Sequence, residues 1–209
     1  MIDTLKAEFQ DKTNVSRETL ARLEAYDALL RKWNQAINLV SPKTLDEVWS
    51  RHFLDSAQLF SVAGAANGYW VDLGSGGGFP GLVLAVIAFE KAPELRFTLV
   101  ESDQRKAAFL LAVVRELGLS TKVLARRIDE LEPLGADFLS ARALAPLDAL
   151  LGFAEQHLAP EGVCIFPKGG KWREELAEAT KNWSFSYSTH PSLTDPEAAI
   201  LTIQEVSRV

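Results

Sequence analysis

The amino-acid sequence predicts an α/β fold: a mostly parallel, seven-stranded sheet that ends in an antiparallel hairpin, preceded by a helical extension. Three observations support this prediction. Residues 69–73 are bulky, apolar or β-branched and run into glycines, as a buried strand does before a tight loop. Further apolar segments alternate with helical ones, which is typical of βαβ units. Residues 183–188 and 200–203 form two final strands with no helix between them, which indicates an antiparallel pair.

The loop at residues 74–81 is rich in glycine and is the first candidate binding site. Pro80 suits the first turn of the helix that follows, because its missing N–H costs nothing there. Glycine backbone lets a ligand approach closely, and the start of the helix directs amide groups toward it. The sequence therefore predicts a nucleotide-like ligand; a plain tight turn would use the same glycines and stays open as the alternative.

Two registers of the loop indicate different nucleotides. The register that begins at Gly76 reads G-x-G-x-x-G, the pattern of dinucleotide-binding loops. In the register that begins at Gly74, Phe79 stands where the third glycine belongs. Asp72 lies two residues before Gly74, and the resulting D-x-G-x-G resembles the first motif of S-adenosylmethionine-dependent methyltransferases. We give the aspartate more weight, since a lone glycine pattern is weakly specific.

Composition bounds the class of protein. The 209 residues are 47% hydrophobic and 24% charged, which is ordinary for a globular protein. The N-terminus lacks the apolar segment of a signal peptide, and Cys164 is the single cysteine, so we expect a cytoplasmic protein without disulfides or a cysteine-based metal site. The net charge of −6 argues against broad nucleic-acid binding but leaves room for a local basic patch. We expect a monomer that does not bind membranes.

The first 62 residues are predicted to form the helical extension, and residues 63–209 a single domain. Ser16 can cap a long helix whose apolar face we expect to be core. That face consists of Leu20, Leu23, Tyr26, Leu30, Trp33 and Ile37.

A second helix is predicted to begin at a capping box formed by Thr44 and Glu47. It would carry Arg51 and Asp55 four residues apart, with His52 within reach of the aspartate. These side chains form either an ordinary ion pair on a helix surface or a charged edge that faces the ligand loop and touches substrate. Both interpretations stay open.

Charged residues follow the predicted strands at one edge of the sheet. Glu101 ends the second strand, where a carboxylate can accept hydrogen bonds from both hydroxyls of a ribose. Arg142 ends the fourth strand and needs an anion, for which Asp72, a cofactor carboxylate and an RNA phosphate are candidates. Lys168 and Lys171 follow the fifth strand in a Lys-Gly-Gly-Lys loop, which either binds phosphate or is an ordinary turn.

Several motifs occur together in one order and closely resemble the bacterial GidB (RsmG) family, from about Trp33 to the last strand. These motifs are Trp33-Asn34, Asn38-Leu39, Arg51-His-Phe-Leu-Asp-Ser56, Asp72-Leu-Gly-Ser-Gly-Gly-Gly-Phe-Pro-Gly81, Glu101-Ser, Arg105-Lys106, Phe109-Leu110 and Ser140-Ala-Arg-Ala143. The resemblance implies a Rossmann-like, S-adenosylmethionine-dependent methyltransferase that modifies guanine N7 in 16S rRNA. Arg126, where relatives often carry a small residue, and Asp129, where glutamate is common, depart from the family pattern.

The resemblance also implies a set of cofactor contacts, with Glu101 at the ribose and residues after the third strand at the adenine. The expected residues are Asp72, Gly74, Gly76, Phe79, Glu101, Ile128, Asp129 and Arg142. A basic rim is expected to bind the RNA, within a small-subunit particle or assembly intermediate rather than as free RNA. Its members are Arg51, His52, Arg105, Lys106, Arg126, Arg127, Lys168 and Lys171.

Guanine N7 carries a free lone pair, so its methylation requires no general base. The product base is cationic, and Asp55 is our one candidate for a carboxylate that stabilises it. Methylation of an exocyclic amine or of cytosine C5 is disfavoured. The segment at Ser140 lacks the Asn/Asp-Pro-Pro-aromatic motif, and Cys164 lies within an apolar strand. An NAD(P)-dependent oxidoreductase and a non-catalytic nucleotide-binding module remain as alternatives.

Overall fold

The structure, a computed structural model, describes residues 2–209, and its centre is one seven-stranded sheet. The strands are β1 Asn67–Leu73, β2 Glu94–Val100, β3 Thr121–Leu124, β4 Ala136–Ala141, β5 Leu158–Lys168, β6 Trp183–Pro191 and β7 Ala199–Arg208. Their order across the sheet is β3-β2-β1-β4-β5-β7-β6. Neighbours among β1 to β5 are parallel, whereas β7 pairs antiparallel with both β5 and β6. The predicted fold class is confirmed.

Helices cover both faces of this sheet. They are α1 Ile2–Thr13, α2 Arg17–Asn34, α3 Asp55–Ala63, α4 Gly81–Lys91, α5 Gln104–Glu116, α6 Leu147–His157 and α7 Trp172–Ala179. Because side chains alternate along a strand, Trp70 packs in the core with α1 to α5, while Val71 packs in the opposite core with α6 and α7. The chain before β1 therefore shares one hydrophobic core with α4 and α5.

The long N-terminal helix begins where the sequence predicts. The side chain of Ser16 accepts a hydrogen bond from the backbone N–H of Thr19, and Leu23, Tyr26 and Leu30 are fully buried. The helix ends at Asn34, whose side-chain oxygen accepts hydrogen bonds from the backbone N–H groups of the next loop. The preceding helix, α1, was not predicted from the sequence. Its Phe9 is buried and packs edge-to-face against Trp49 at a centroid distance of 5.6 Å.

The predicted second helix is present over residues 48–63, but the capping box at Thr44 and Glu47 does not start it. Residues Pro42–Thr44 form a 3-10 turn, a π-helical segment spans Trp49–Leu54, and α3 continues from it without a side-chain cap. The hydroxyl of Thr44 donates to the carbonyl of Ser41 at 2.8 Å and lies 2.9 Å from Nε2 of His52, so its partners are these groups and not a helix amide. Thr44 thus ends the 3-10 turn instead of capping the helix that follows.

The predicted pair between Arg51 and Asp55 is also wrong. Arg51 donates to Glu47 at 2.6 Å, one turn earlier, and Asp55 instead binds Arg142 at 3.1 Å. The wider π-helical turn changes which side chains share a face, which the 3.6-residue spacing did not anticipate. Within residues 2–209, no helix combines the length and the apolar character that a bilayer crossing requires.

Candidate functional site

A glycine loop crosses the carboxyl end of β1, next to the point where the sheet order reverses between β1 and β4. The Ser75 N–H donates to the carbonyl of Val100 at 3.0 Å, which ties the loop to β2. Gly74 and Gly76 have φ values of +63° and +54°, in the left-handed region that glycine adopts without strain. A Cβ at Gly74 would lie 2.6 Å from Leu144, so the close approach of these two residues requires glycine.

Asp72 supports the glycine loop from the protein interior and does not line the cavity that opens beside the loop. It is fully buried; its carboxylate accepts hydrogen bonds from the hydroxyl of Ser140 at 2.7 Å and from the Gly81 N–H at 3.2 Å. Burial raises the pKa of Asp72 to about 6, against the lowering effect of these donors. The structure therefore assigns the aspartate a contact with the start of α4 rather than the ligand contact that the sequence led us to expect.

Glu101 lies beside the loop, at the end of β2. One carboxylate oxygen accepts from the Gly76 N–H and the other from the Asp103 N–H, both at 2.8 Å. The residue is 7% exposed and faces the cavity, with lone pairs left to accept further hydrogen bonds. This geometry suits a ligand that presents two hydroxyl groups.

A cavity of about 500 Å³ opens above the loop. Seven of the eight predicted cofactor residues line it: Gly74, Gly76, Phe79, Glu101, Ile128, Asp129 and Arg142. The eighth, Asp72, does not. Asp129 is exposed and binds Arg127 through two hydrogen bonds of 3.1 Å, which lower the pKa of its carboxyl.

A charged cluster packs against Phe79 at the inner end of this cavity. The ring of His52 stacks on Phe79 at a centroid distance of 4.9 Å, and the guanidinium of Arg142 also lies 4.9 Å from that ring. Arg142 donates to Asp55 at 3.1 Å and contacts His52 Nδ1 at 3.0 Å. The anion that Arg142 requires is thus Asp55, which was not among our candidates.

His52 is neutral in this cluster. Burial, followed by the charges of Arg142 and Arg51, lowers its pKa to about 3. A neutral ring whose Nδ1 accepts from Arg142 carries its proton on Nε2, which lies 2.9 Å from the hydroxyl of Thr44. His52 therefore orients the arginine and adds no positive charge for RNA.

A second cavity, of about 1270 Å³, adjoins the first. It lies between α3, the loop after β4, the start of α7 and the loop between β6 and β7. Arg142, Ala143 and Leu144 line both cavities. These three residues form the shared wall, and any molecule in the larger cavity meets the smaller one there.

The predicted basic rim is divided between the two cavities. Lys106 and Arg127 line the smaller one, whereas Arg51, His52, Lys168 and Lys171 line the larger one. Arg105 and Arg126 line neither; the side chain of Arg105 is 74% exposed, and Arg126 donates to the carbonyl of Glu130. The structure does not bring the eight residues together as one patch.

Lys168 is not an exposed cation. Its side chain is 10% exposed, forms an ion pair of 2.5 Å with Glu175 and donates to the carbonyl of Ala145 at 3.2 Å. The sequence-based expectation of an RNA contact for this lysine does not match its burial.

Several residues at the site were missed by sequence reasoning. Tyr26 donates from α2 to the Gly77 carbonyl, and Thr194 donates to Asp55 at 2.9 Å from the loop between β6 and β7. Both contacts join segments far apart in sequence, so no local pattern marks them. Leu39 lines the smaller cavity, and here a signal existed, because Asn38-Leu39 was among the motifs that resemble the family; the side-chain oxygen of Asn34 accepts from the Leu39 N–H at 2.9 Å.

The residues that line the smaller cavity fit S-adenosylmethionine. Gly74 and Gly76 offer bare backbone, Glu101 suits a ribose, and Ile128 beside Asp129 offers an apolar and an acidic contact. His157 fixes this last segment, since its Nε2 lies 3.1 Å from the Ile128 carbonyl. A sheet of this order with this cavity defines the class: the Rossmann-like fold of S-adenosylmethionine-dependent methyltransferases.

Comparison with known proteins takes the assignment from class to family. A model of the family described as "GidB: rRNA small subunit methyltransferase G" matches residues 19–201. Proteins named ribosomal RNA small subunit methyltransferase G from Ruegeria pomeroyi and Cereibacter sphaeroides are 54% and 55% identical over 196 residues. They match 94% of this chain and 96% and 94% of their own lengths. The chain belongs to the GidB family.

Solved structures are similar in fold. A SAM-dependent methyltransferase from Aquifex aeolicus has a TM-score of 0.58 at 14% identity, covering 83% of this chain and 96% of that one. TYW2 from M. jannaschii, solved in complex with AdoMet, has a TM-score of 0.57 at 14% identity, covering 84% and 80%. At this identity the likeness shows the fold alone.

Proposed function

We propose that this chain is a cytoplasmic enzyme that transfers a methyl group from S-adenosylmethionine to N7 of one guanine in 16S rRNA. The observation that carries this proposal is the pair of adjoining cavities, one above the glycine loop and one large enough for a nucleotide, which share the wall at Arg142–Leu144. Membership of the GidB family supports the reaction class and the RNA.

Within the smaller cavity, the chain's own residues divide the work of holding the cofactor. Gly74 and Gly76, which line this cavity, would present backbone to its amino-acid end, and the carboxylate of Glu101 would accept from the ribose hydroxyls. Ile128 would pack on the adenine, and Asp129 would accept from its amino group. When bound, S-adenosylmethionine supplies an electrophilic methyl group on a sulfonium sulfur.

Positioning is the main contribution to the reaction. Guanine N7 attacks with a lone pair that is already free, so no side chain has to remove a proton first. Correct placement of two reactants is worth about 7–11 kcal/mol of a barrier. His52 and Arg142 pack on Phe79, and Asp55 binds Arg142, so this cluster gives the wall between the cavities a fixed shape.

Asp55 is the candidate for stabilising the cationic product base. Its side chain is partly exposed within the larger cavity, although Arg142, Thr194 and Gln58 already donate to it. Asp55→Asn should lower kcat and leave the dissociation constant of S-adenosylmethionine unchanged, as steady-state kinetics and calorimetry would measure. A weaker cofactor affinity with normal kcat would contradict this role.

The RNA is proposed to bind as part of a small-subunit particle or assembly intermediate, with the enzyme as a monomer. A net charge of −6 and a basic rim divided between two cavities give little attraction for free RNA. Proteins of the particle that help to present the RNA would compensate for this weak electrostatic attraction.

The test is transfer of labelled methyl groups from S-adenosylmethionine to small subunits from cells that lack this gene, followed by nucleoside analysis. We expect label in 7-methylguanosine at a single site. Label in another nucleoside would reject the N7 assignment, and cofactor binding without label would indicate a non-catalytic module. Failure to bind S-adenosylmethionine would overturn the assignment of the glycine loop.

A further inference from the structure

The wall shared by the two cavities has an unusual backbone. Ala143 has a φ of +52°, a left-handed conformation that is unfavourable for a residue with a side chain. Ala143 stands between Arg142, which binds Asp55, and Leu144, which packs over Gly74. A conformation of this kind persists only where the surrounding structure holds it, so other contacts must fix the loop after β4.

The far side of this loop is held by the partly buried ion pair of Lys168 and Glu175. Lys168 Nζ donates to the Ala145 carbonyl at 3.2 Å, and Glu175 Oε2 accepts from the Leu147 N–H at 2.8 Å. The two charged groups lie 2.5 Å apart. Each charge thus binds the backbone group of opposite polarity, and Pro146 between them has no N–H that would need a partner.

Partial burial makes this pair an uncertain source of stability alone, because desolvation of the two ions offsets much of their attraction. What the pair supplies is geometry, because two charged groups fix two backbone atoms on either side of Pro146. These two atoms are the carbonyl oxygen of Ala145 and the amide nitrogen of Leu147, which follow Leu144 by one and three residues.

We propose that Lys168 and Glu175 are positioning residues that clamp the loop after β4 and thereby set the wall between the cofactor and acceptor cavities. Lys168 then acts on turnover through Ala145 and does not hold an RNA phosphate. The inference rests on the proposed function for its kinetic part. It replaces the expectation that this lysine belongs to the RNA-binding rim.

The test compares single and double variants. Glu175→Gln alone leaves a buried lysine without its carboxylate and strains folding, so the double variant Lys168→Met/Glu175→Gln, which removes both charges, is the safer one. Lys168→Arg serves as the conservative variant. The control is Arg208→Met/Glu155→Gln, which removes an ion pair of 3.5 Å whose side chains are 68% and 44% exposed and line neither cavity.

The double variant should lower kcat by about ten- to a hundredfold and leave the KM for RNA and its salt dependence unchanged. Lys168→Arg should recover part of kcat, and the exposed control pair should have normal kcat. Hydrogen exchange of the Leu147 amide, measured without substrate, should accelerate in the double variant and stay at the wild-type rate in the control.

Two results would overturn the clamp. A raised KM for RNA and a flatter salt dependence at normal kcat would make Lys168 a phosphate contact. Normal kinetics together with normal exchange at Leu147 would make the pair irrelevant to the loop. If the wild-type protein transfers no methyl group, the proposed function fails instead, and amide exchange still tests the clamp.

Discussion

At the scale of single residues, Asp72 illustrates how a buried carboxylate serves a binding loop without touching a ligand. It receives hydrogen bonds from Ser140 on β4 and from Gly81 at the start of α4, and so connects two strands and a helix. Its charge is nevertheless costly, because no water reaches it. The raised pKa of about 6 expresses this cost.

The cost predicts a dependence of stability on pH. The folded protein binds the proton of Asp72 with a pKa of about 6, above the ordinary 3.8, so this contribution to stability is present below pH 4 and is lost as the pH rises through 6. Asp72→Asn cannot ionise. Between pH 4 and 7 the unfolding free energy of the wild type should therefore fall, relative to the variant, by about 2–2.5 kcal/mol.

Denaturant titrations at several pH values would measure this difference. The control is Asp46→Asn, whose side chain is 98% exposed; its difference from the wild type should stay constant over the same range. A constant difference for Asp72→Asn as well would contradict the raised pKa.

At the scale of elements, the glycine loop is held from three directions. The Val100 carbonyl of β2 accepts from the Ser75 N–H, Asp72 of β1 binds Gly81, and the Tyr26 hydroxyl of α2 donates to Gly77. Burial raises the pKa of Tyr26 well above its usual value, which keeps the phenol protonated as a donor. Through this contact the N-terminal extension takes part in shaping the cofactor cavity.

We expect Tyr26→Phe to weaken both the fold and the loop. Loss of the buried donor leaves the Gly77 carbonyl without this partner, which should lower the unfolding free energy by about 1 kcal/mol and Tm by about 2–4 °C. Calorimetry should also show S-adenosylmethionine binding weakened by up to about tenfold. Tyr187→Phe, at an exposed position of β6, is the control, and equal effects of the two variants would contradict the proposed coupling.

At the scale of the whole molecule, charge is distributed unevenly around an acidic protein. The cations that remain exposed near the cavities are separated from one another, and some, such as Arg51 with Glu47, are already paired. Attraction for RNA should therefore come from a few local contacts, each of which contributes to the salt dependence of binding.

The triple variant Arg51→Ala/Lys106→Ala/Lys171→Ala tests this view, since these residues line the two cavities. Binding of small subunits should weaken, and the slope of log affinity against log salt should become shallower by about 2. Filter binding at several salt concentrations would measure it. Arg17→Ala/Lys32→Ala/Lys181→Ala removes three cations that line neither cavity; an equal loss there would show that only net charge matters.

Much of the architecture could be predicted from the sequence because its signals are local. The strand before Gly74, the cap at Ser16 and the acid at Glu101 each depend on neighbours in the chain, and the structure places all three as expected. The edge of a parallel sheet then brought seven of the eight expected cofactor residues around one cavity.

What the tertiary structure alone decided is which charges meet. Arg142 binds Asp55, 87 residues away, whereas the spacing along the helix had suggested Arg51 as the partner of this aspartate. Lys168 lies against Glu175, whereas its place in the loop had suggested an exposed lysine that binds RNA. The sequence by itself determined the fold class, the glycine loop and the family resemblance, since backbone conformation and hydrophobic period are local properties. Ion pairs depend on distance in space and on desolvation, and folding sets both.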